Sequence, residues 1–174
     1  MNKTLVIFAH PYFEHSKANI RLIQAYQNIE HVTVRDLYEE YPDFNIAAFK
    51  ERKRLMVYDT IIFHFPMIWF GMPPLLKLWI DEVFDMKWVS EQDSSPVNGK
   101  KAYIVLTAGG SQAAFSPNGI YENPAEDYIK TLVQSLKINN ISVEQIFTIY
   151  NSDKLSQQEL NDHYQNIRKL ARNT

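Results

Sequence analysis

Short apolar runs alternate with longer amphipathic stretches along the whole chain. Apolar or β-branched runs lie at about 4–9, 32–36, 59–65, 102–107 and 141–149, and helical spacing occurs near 17–29, 46–57, 74–85, 124–137 and 156–171. Helix starts are indicated by Ser16, by Pro74, by Asn123-Pro124 and by the capping box that joins Ser156 to Glu159. The pattern predicts five strands alternating with five helices.

These strand runs lack the strict alternation of a half-exposed sheet. Continuous apolar runs are typical of parallel strands that helices cover on both faces, so we predict an open doubly wound α/β domain. The 174 residues show no linker or repeat, and we expect one domain over residues 1–174. The segment from Lys87 to Gly99 is the predicted mobile excursion.

Composition narrows the function classes. The net charge is −2 and no basic cluster carries interleaved aromatics, which argues against a nucleic-acid partner. The run from Lys50 to Arg54 is interpreted as a solvated helix face. The absence of cysteine excludes a disulfide, a thiol redox centre and a cysteine-ligated zinc, so redox chemistry would need a bound cofactor. No stretch approaches the roughly 20 apolar residues of a membrane span, and we expect a cytoplasmic protein.

A polar loop follows the first predicted strand and leads into a helix that Ser16 can cap. Free backbone N–H groups at such a junction favour an anion, and the imidazole of His10 adds a donor, so a phosphate fits there. No dinucleotide or Walker glycine pattern occurs in this segment. The alternatives are a plain helix cap at Ser16 and a hydrogen-bonded histidine at a strand end.

The loop after the third strand, residues 66–74, is unusually apolar for a connection. Trp69 and Phe70 indicate a surface that covers a planar ligand, although an isolated aromatic pair would more often pack into the core. The loop after the fourth strand places Gly109 beside Gly110, and glycine lets backbone N–H groups approach a ligand closely. These three loops follow strands whose carboxyl ends meet at the sheet switch point. Together they predict a site for a phosphorylated planar heterocycle, with FMN as the natural candidate.

The sequence gives less support for a metal site, a catalytic histidine inside a strand or a serine hydrolase. His10, Glu14 and His15 match no standard metal spacing, and we expect no metal site. His64 lies inside a strand and is interpreted as a hydrogen-bonded core histidine. The serines lack the elbow motif that would expose a hydrolase nucleophile.

Four segments carry a specific resemblance to a known family: AHPYFEHSKAN, DLYEEYPDFNI, FHFPMIWFGMPPLLKLWIDEVF and LTAGGSQAAFSPNGIYE. They resemble the flavodoxin-like NAD(P)H:quinone oxidoreductases, especially the short bacterial group. That group includes ancillary flavoproteins of glutathione-gated potassium efflux systems and general stress NAD(P)H oxidoreductases. The likeness covers nearly the whole chain and implies a flavodoxin-like five-stranded sheet.

The resemblance also implies residue roles. The residues implied to hold the flavin phosphate and ribityl chain are His10, Ser16, Lys17, Ala18 and Asn19. Those implied to line the isoalloxazine ring are Pro66, Met67, Ile68, Trp69 and Phe70. Those implied to lie along the polar edge of the ring are Thr107, Ala108, Gly109 and Gly110. Where the larger quinone reductases carry a tyrosine and a histidine, this chain carries Phe115 and Tyr121. Phe115 cannot donate a proton. Tyr121 is the candidate catalytic hydroxyl, and an aromatic packed over the loop is the equal alternative.

From these features we expect two-electron hydride transfer from NADPH or NADH through FMN, with FAD as the alternative, to quinones, nitroaromatics or azo dyes. Both substrates need the same stacked position, which predicts ping-pong kinetics. The Trp69 loop and residues 86–89 are apolar enough to predict a homodimer. A different class of function is a flavin-bearing regulatory subunit that docks on a potassium efflux transporter. An electron-carrier flavodoxin ranks lower, because those proteins are usually strongly acidic.

Overall fold

The computed structural model describes residues 2–91 and 95–174. Five strands form one wholly parallel sheet: β1 (Thr4–Phe8), β2 (Val32–Asp36), β3 (Thr60–Pro66), β4 (Lys101–Thr107) and β5 (Ser142–Ile149). Their order is β2-β1-β3-β4-β5. This is the doubly wound order in which the switch point lies between β1 and β3, and it confirms the predicted fold class.

Within the described residues the sheet is surrounded by the helices α1 (Lys17–Leu22), α2 (Leu37–Glu40), α3 (Ala48–Leu55), α4 (Pro74–Val83), α5 (Met86–Ser90), α6 (Lys130–Ile138) and α7 (Gln157–Asn173). The 3₁₀ segments Phe13–His15, Ile23–Tyr26 and Ala125–Ile129 lie beside α1 and α6. The capping box forms at α7, where Ser156 accepts a hydrogen bond from the backbone of Glu159 and the Glu159 carboxylate accepts one from the backbone of Ser156. Pro74 stands at the first turn of α4 as predicted.

Strands β1 and β3 are apolar over most of their length because each buries both of its faces, whereas the edge strands β2 and β5 are partly exposed and carry polar residues. In β1, Leu5 and Ile7 join the core beneath α3, α4 and α6, while Val6 faces the opposite core beneath α1 and α7. β3 repeats this division with Phe63 and Ile62. Two buried layers therefore replace the single alternating face of an exposed sheet, which is the physical reason for the continuous runs.

Two short helices, α2 and α5, were not predicted. Asp36 caps α2 by accepting hydrogen bonds from the N–H groups of Tyr38 and Glu39, and Asp85 caps α5 in the same way at Lys87. The predicted mobile excursion begins inside α5, and its residues 92–94 lie outside the described part of the chain. None of the described helices has the length and apolar character needed to cross a membrane.

The interpretation of residues 50–54 as a solvated helix face holds for Lys50 and Lys53, which are exposed, and is wrong for Arg52 and Arg54. Arg54 is only 14% exposed and pairs with Glu40 and with Glu51, whose carboxylate is fully buried. Arg52 donates hydrogen bonds to the carbonyls of residues 82 and 83. These guanidinium groups fix α3 to its neighbours rather than facing water, because their carboxylate and carbonyl partners lie on the inner side of the helix.

Candidate functional site

A crevice of about 230 Å³ opens at the carboxyl edge of the sheet. Its walls come from the segments after β1, β3, β4 and β5, and it is lined by His10, Tyr12, His15, Ser16, Asn19, Pro66, Met67, Ile68, Thr107, Gly109, Ser152 and Asp153. These segments meet here because their strands are adjacent and parallel: Phe8 pairs with His64, and Pro66 pairs with Thr107, near the carboxyl ends of the strands. The crevice therefore lies where doubly wound proteins bind ligands.

Ser16 is both the cap of α1 and a lining residue of the crevice. Its hydroxyl oxygen accepts a hydrogen bond from the backbone N–H of Asn19 at 3.2 Å, which is the capping contact. The Asn19 side-chain amide also donates to Ser16 Oγ at 2.9 Å. The capping role considered from the sequence is thus present, and it is compatible with a ligand contact through the hydroxyl hydrogen.

His10 stands at the end of β1 and lines the crevice. Its Nδ1 accepts a hydrogen bond from the backbone N–H of Tyr12 at 3.1 Å, so Nε2 carries the hydrogen of the neutral ring. Burial lowers the pKa of His10 to about 4, although the charge of Asp153 acts in the opposite direction. At neutral pH the side chain is consequently an uncharged donor.

The segments after β1 and β4 are joined by a side-chain hydrogen bond. Asn19 Nδ2 donates to Thr107 Oγ1 at 3.1 Å, and both side chains are buried. Behind Asn19 lies His64, which is fully buried and hydrogen-bonded at both ring nitrogens. The prediction of a hydrogen-bonded core histidine is confirmed.

The Gly-Gly turn after β4 is fastened by its carbonyl groups. The N–H of Asn151 donates to the carbonyl of Gly110 at 2.9 Å, and the N–H of Ser152 donates to the carbonyl of Ala108 at 3.0 Å. Within the described residues the N–H groups of Gly109 and Gly110 donate to no protein acceptor. They remain available to a ligand.

Each glycine of this turn also permits a close approach. A Cβ on Gly109 would lie 3.2 Å from Asp153 Oδ2, and a Cβ on Gly110 would lie 2.8 Å from the ring of Phe115. The absence of a side chain at both positions lets the segment after β5 and the ring of Phe115 pack directly on the turn. A carboxylate thereby reaches the crevice beside donor groups.

The loop after β3 forms a tight turn with two aromatic residues at its centre. Ile68 and Gly71 exchange backbone hydrogen bonds at 2.9 and 3.1 Å, and both central residues have positive φ, 46° for Trp69 and 60° for Phe70. Non-glycine residues adopt this conformation at a cost of about 1–2 kcal/mol each. Such strain persists where the surrounding structure fixes it, often at functional sites.

The turn separates the two aromatic rings. Trp69 is 93% exposed, so the alternative that both rings pack into the core is wrong for Trp69. Phe70 is 43% exposed and packs edge-on against Tyr121, with ring centroids 5.2 Å apart, and against Tyr128 at the same distance. Trp69 therefore projects into solvent directly after Ile68, which lines the crevice, while Phe70 belongs to an aromatic cluster.

Tyr121, the candidate catalytic residue, lies in that cluster rather than on the crevice wall. Its ring centroid is 4.6 Å from that of the buried Phe115, and its backbone carbonyl accepts a hydrogen bond from Tyr128 Oη at 2.5 Å. The contacts of Tyr121 match an aromatic packed over the loop. A catalytic hydroxyl at Tyr121 stays a prediction.

Eight of the predicted cofactor residues line the crevice, namely His10, Ser16, Asn19, Pro66, Met67, Ile68, Thr107 and Gly109. The other six do not line it. Lys17 is exposed, and Ala18 and Ala108 are each buried in one of the two cores. Trp69 projects into solvent, and Phe70 and Gly110 contact the aromatic cluster of Phe115 and Tyr121. Sequence reasoning missed Tyr12, His15, Ser152 and Asp153. The last two follow β5, and applying the strand-end rule to that strand would have found them.

Among residues 2–91 and 95–174, no group of three or more histidine, aspartate or glutamate side chains is placed to hold a metal ion. His10, Glu14 and His15 were the candidates considered from the sequence.

The buried histidines predict how stability depends on pH. Burial lowers the pKa of His64 to about 3 and that of His10 to about 4, whereas both ionise near 6.5 when unfolded. The unfolded chain therefore binds more protons below pH 6.5, and stability falls as the pH drops from 6.5 toward 4, by up to about 1.4 kcal/mol per pH unit for each histidine.

Urea unfolding between pH 7.5 and 4.5 measures this slope. We expect His64→Gln to reduce the slope by about one proton. Equal slopes for wild type and His64→Gln would show that His64 ionises normally in the folded protein.

Comparison with known proteins agrees with this architecture. The family model for the flavodoxin-like fold matches residues 2–171, and the chain belongs to that family. The general stress protein 14 of Treponema denticola, solved in complex with FMN, is 26% identical with a TM-score of 0.89, over 97% of each chain. An NADPH-quinone reductase of P. pentosaceus is 23% identical with a TM-score of 0.88, over 99% of each chain.

A third solved structure bears a different kind of name. A thermophilic tryptophan halogenase from Streptomycin violaceusniger is 27% identical with a TM-score of 0.88, and the match covers 95% of this chain and 96% of that one. The names of these similar proteins thus disagree about the reaction, while their folds agree closely.

Proposed function

We propose that the protein is an FMN-dependent NAD(P)H:quinone oxidoreductase. The observation that carries the proposal is the crevice itself, where donor side chains from the segment after β1 and free N–H groups after β4 meet at one switch point. Family membership and the FMN complex of a protein 26% identical support the same ligand.

The residues present fit a flavin nucleotide. Neutral His10 and the Ser16 hydroxyl supply donors for the phosphate, and the N–H groups of Gly109 and Gly110 supply donors for the polar ring edge. Asp153 brings a carboxylate, which accepts hydrogen bonds and repels phosphate, so we place the hydroxyl-bearing ribityl chain nearest to it. When bound, FMN would accept a hydride from NAD(P)H and deliver it to the acceptor.

The protein's own contribution is to position and to stabilise. The tight turn at residues 68–71 keeps the indole of Trp69 exposed next to Ile68 of the crevice wall, and we propose that a flat substrate stacks on it. The two glycine N–H groups oppose developing negative charge on a ring edge without needing to reorganise. No side chain acts as a nucleophile in this scheme.

Steady-state kinetics test the proposed reaction. Because nicotinamide and quinone would use the same stacking position, initial rates measured at several fixed quinone concentrations should give parallel double-reciprocal lines. Intersecting lines would show that both substrates bind together. The preference between NADPH and NADH, and among quinones, nitroaromatics and azo dyes, would come from the same assay.

Substitutions at the phosphate end should separate binding from folding. Ser16→Ala and His10→Ala each remove one donor, and we expect FMN affinity to fall about 10-fold to 100-fold, which is the value of one hydrogen bond to a charged group. Loss of the Ser16 cap itself costs about 0.5–2 kcal/mol of stability. Titration of the flavin-free variants with FMN and urea unfolding measure the two effects.

Ser156→Ala is the matched control, because Ser156 caps α7 and does not line the crevice. It should lower stability by a similar amount and leave FMN affinity unchanged. If Ser16→Ala behaved in the same way as Ser156→Ala, Ser16 would be a helix cap alone.

We further propose that the active form is a homodimer. Trp69, Met86 and Ile120 are each at least 79% exposed, and large apolar side chains in such positions commonly mark an interface. Sedimentation at micromolar concentration should give twice the chain mass of 20.4 kDa. A fully active monomer at that concentration would contradict the proposal.

The regulatory function stays the second candidate, because the same exposed apolar side chains fit docking on a membrane transporter. It would be favoured if the protein bound FMN and reduced none of the acceptors. The proposed reductant is a cytoplasmic metabolite, and we place the protein in the cytoplasm on that ground.

A further inference from the structure

Tyr26, His64 and Asn19 form a chain of buried polar side chains, of which only Asn19 lines the crevice. Tyr26 ends a 3₁₀ segment and His64 lies in the middle of β3; both are fully buried, as is Asn19. Tyr26 Oη lies 3.0 Å from His64 Nδ1, and His64 Nε2 lies 3.0 Å from Asn19 Oδ1. Neither Tyr26 nor His64 touches the crevice.

The direction of each hydrogen bond in this chain follows from the chemistry of Tyr26 at its buried end. Burial raises the pKa of Tyr26 above its usual value, so the phenol keeps its hydrogen. Its one side-chain partner among the described residues is His64 Nδ1, and a reversed arrangement would leave the phenol hydrogen unpaired in the core. Tyr26 therefore donates to Nδ1, and His64 donates from Nε2 to Asn19 Oδ1.

This order fixes the orientation of the Asn19 amide. With Oδ1 occupied by His64, Nδ2 faces Ser16 Oγ at 2.9 Å and Thr107 Oγ1 at 3.1 Å and donates to both. Ser16 Oγ also accepts from the Asn19 backbone, so both of its lone pairs are taken. The Ser16 hydroxyl can then only donate, and the Thr107 hydroxyl has its hydrogen free.

We propose that Tyr26 and His64 are positioning residues that set the hydrogen-bond polarity of the crevice. They act through Asn19 to turn two hydroxyl groups, one from each side of the crevice, into donors toward a ligand. The crevice thereby selects groups that accept hydrogen bonds. Naming those groups as the phosphate and ribityl oxygens of FMN rests on the proposed function.

The first test needs no flavin. Nitrogen-15 NMR of the histidine rings in the flavin-free protein should show His64 with its hydrogen on Nε2 and a bare Nδ1. A hydrogen on Nδ1 would overturn the proposal, whatever the protein binds. This readout separates the polarity from the identity of the ligand, because it stands even if FMN were the wrong ligand.

The second test compares two substitutions of His64 by FMN titration of the flavin-free protein. Gln can accept from Tyr26 and donate to Asn19, so His64→Gln should keep FMN affinity within about 3-fold, whereas His64→Leu breaks the chain and should weaken FMN binding about 10-fold to 100-fold. Wild-type affinity in a folded His64→Leu protein would overturn the proposal.

Tyr26→Phe provides a variant that keeps the aromatic packing of Tyr26 on His64, whose ring centroids are 5.7 Å apart. It removes only the phenol donor. We expect the NMR spectrum to show a mixture of His64 tautomers and FMN affinity to fall by about the value of one neutral hydrogen bond, about 3-fold to 10-fold. A variant with lower stability, an unchanged tautomer and unchanged affinity would mean that Tyr26 is structural only.

Discussion

Replacing Trp69 by alanine is expected to lower quinone turnover by about 100-fold, because misplacement of a reacting ring by about 1 Å has a cost of that size. The indole is 93% exposed, so its removal leaves the folded core intact, and the free energy of unfolding should change by less than about 0.5 kcal/mol. An exposed aromatic ring held in a strained turn has no packing role to lose. The kcat and KM values for both substrates measure the effect.

Two comparisons make this result specific. Phe49→Ala removes another exposed aromatic ring, on α3 and away from the crevice, and should leave turnover unchanged. Tyr121→Phe should have a small effect, since the hydroxyl lies outside the crevice wall. If Tyr121→Phe instead lowered turnover by about 10²–10³, the cost of an essential charge-stabilising donor, while Trp69→Ala was silent, Tyr121 would be the proton relay.

The largest effect on stability is expected at Glu51 of α3. Its buried carboxylate accepts hydrogen bonds from Tyr41 Oη at 2.6 Å, from Trp79 Nε1 at 3.0 Å and from the guanidinium of Arg54. Glu51→Ala leaves these donors unpaired in the core, and we expect a loss of roughly 3–5 kcal/mol in the free energy of unfolding. Urea denaturation measures it.

The same helix supplies the control. Lys53 is exposed on the outer face of α3, and Lys53→Ala should change the free energy of unfolding by less than about 0.5 kcal/mol. Glu51→Gln keeps the shape and one acceptor, so its cost should fall between the other two. A loss below about 1 kcal/mol for Glu51→Ala would show that the carboxylate is replaceable by a cavity or by water.

Sequence patterns predicted the sheet closely because the information lies in adjacent residues. Residues 59–65 were predicted as a buried strand from their β-branched and aromatic content, and β3 is observed at Thr60–Pro66. Its position between β1 and β4 follows from the doubly wound topology. The helices α2 and α5 were not predicted because four or five residues are too few to show a helical period, although Asp36 and Asp85 are residue types that commonly cap helices.

The candidate site was harder to predict where the role of a residue depends on the direction of its side chain. His10, Ser16 and Thr107 could be placed from strand ends, but the outward direction of Trp69 depends on two positive φ angles that the residues Trp-Phe do not signal. The buried Glu51 was hidden in a charged run, because its partners Tyr41 and Trp79 lie 10 and 28 residues away. Side-chain networks that join distant segments leave no local pattern.

Titration of the flavin-free protein with FMN and with riboflavin measures whether the crevice holds the flavin and its phosphate. We expect one FMN per chain, since the sheet has one switch point, with the flavin fluorescence quenched on binding. Riboflavin lacks the phosphate that His10 and Ser16 would hold, and it should bind at least about 10-fold more weakly. Uptake of neither flavin, or equal affinity for riboflavin and FMN, would show that the crevice does not hold the phosphate of FMN.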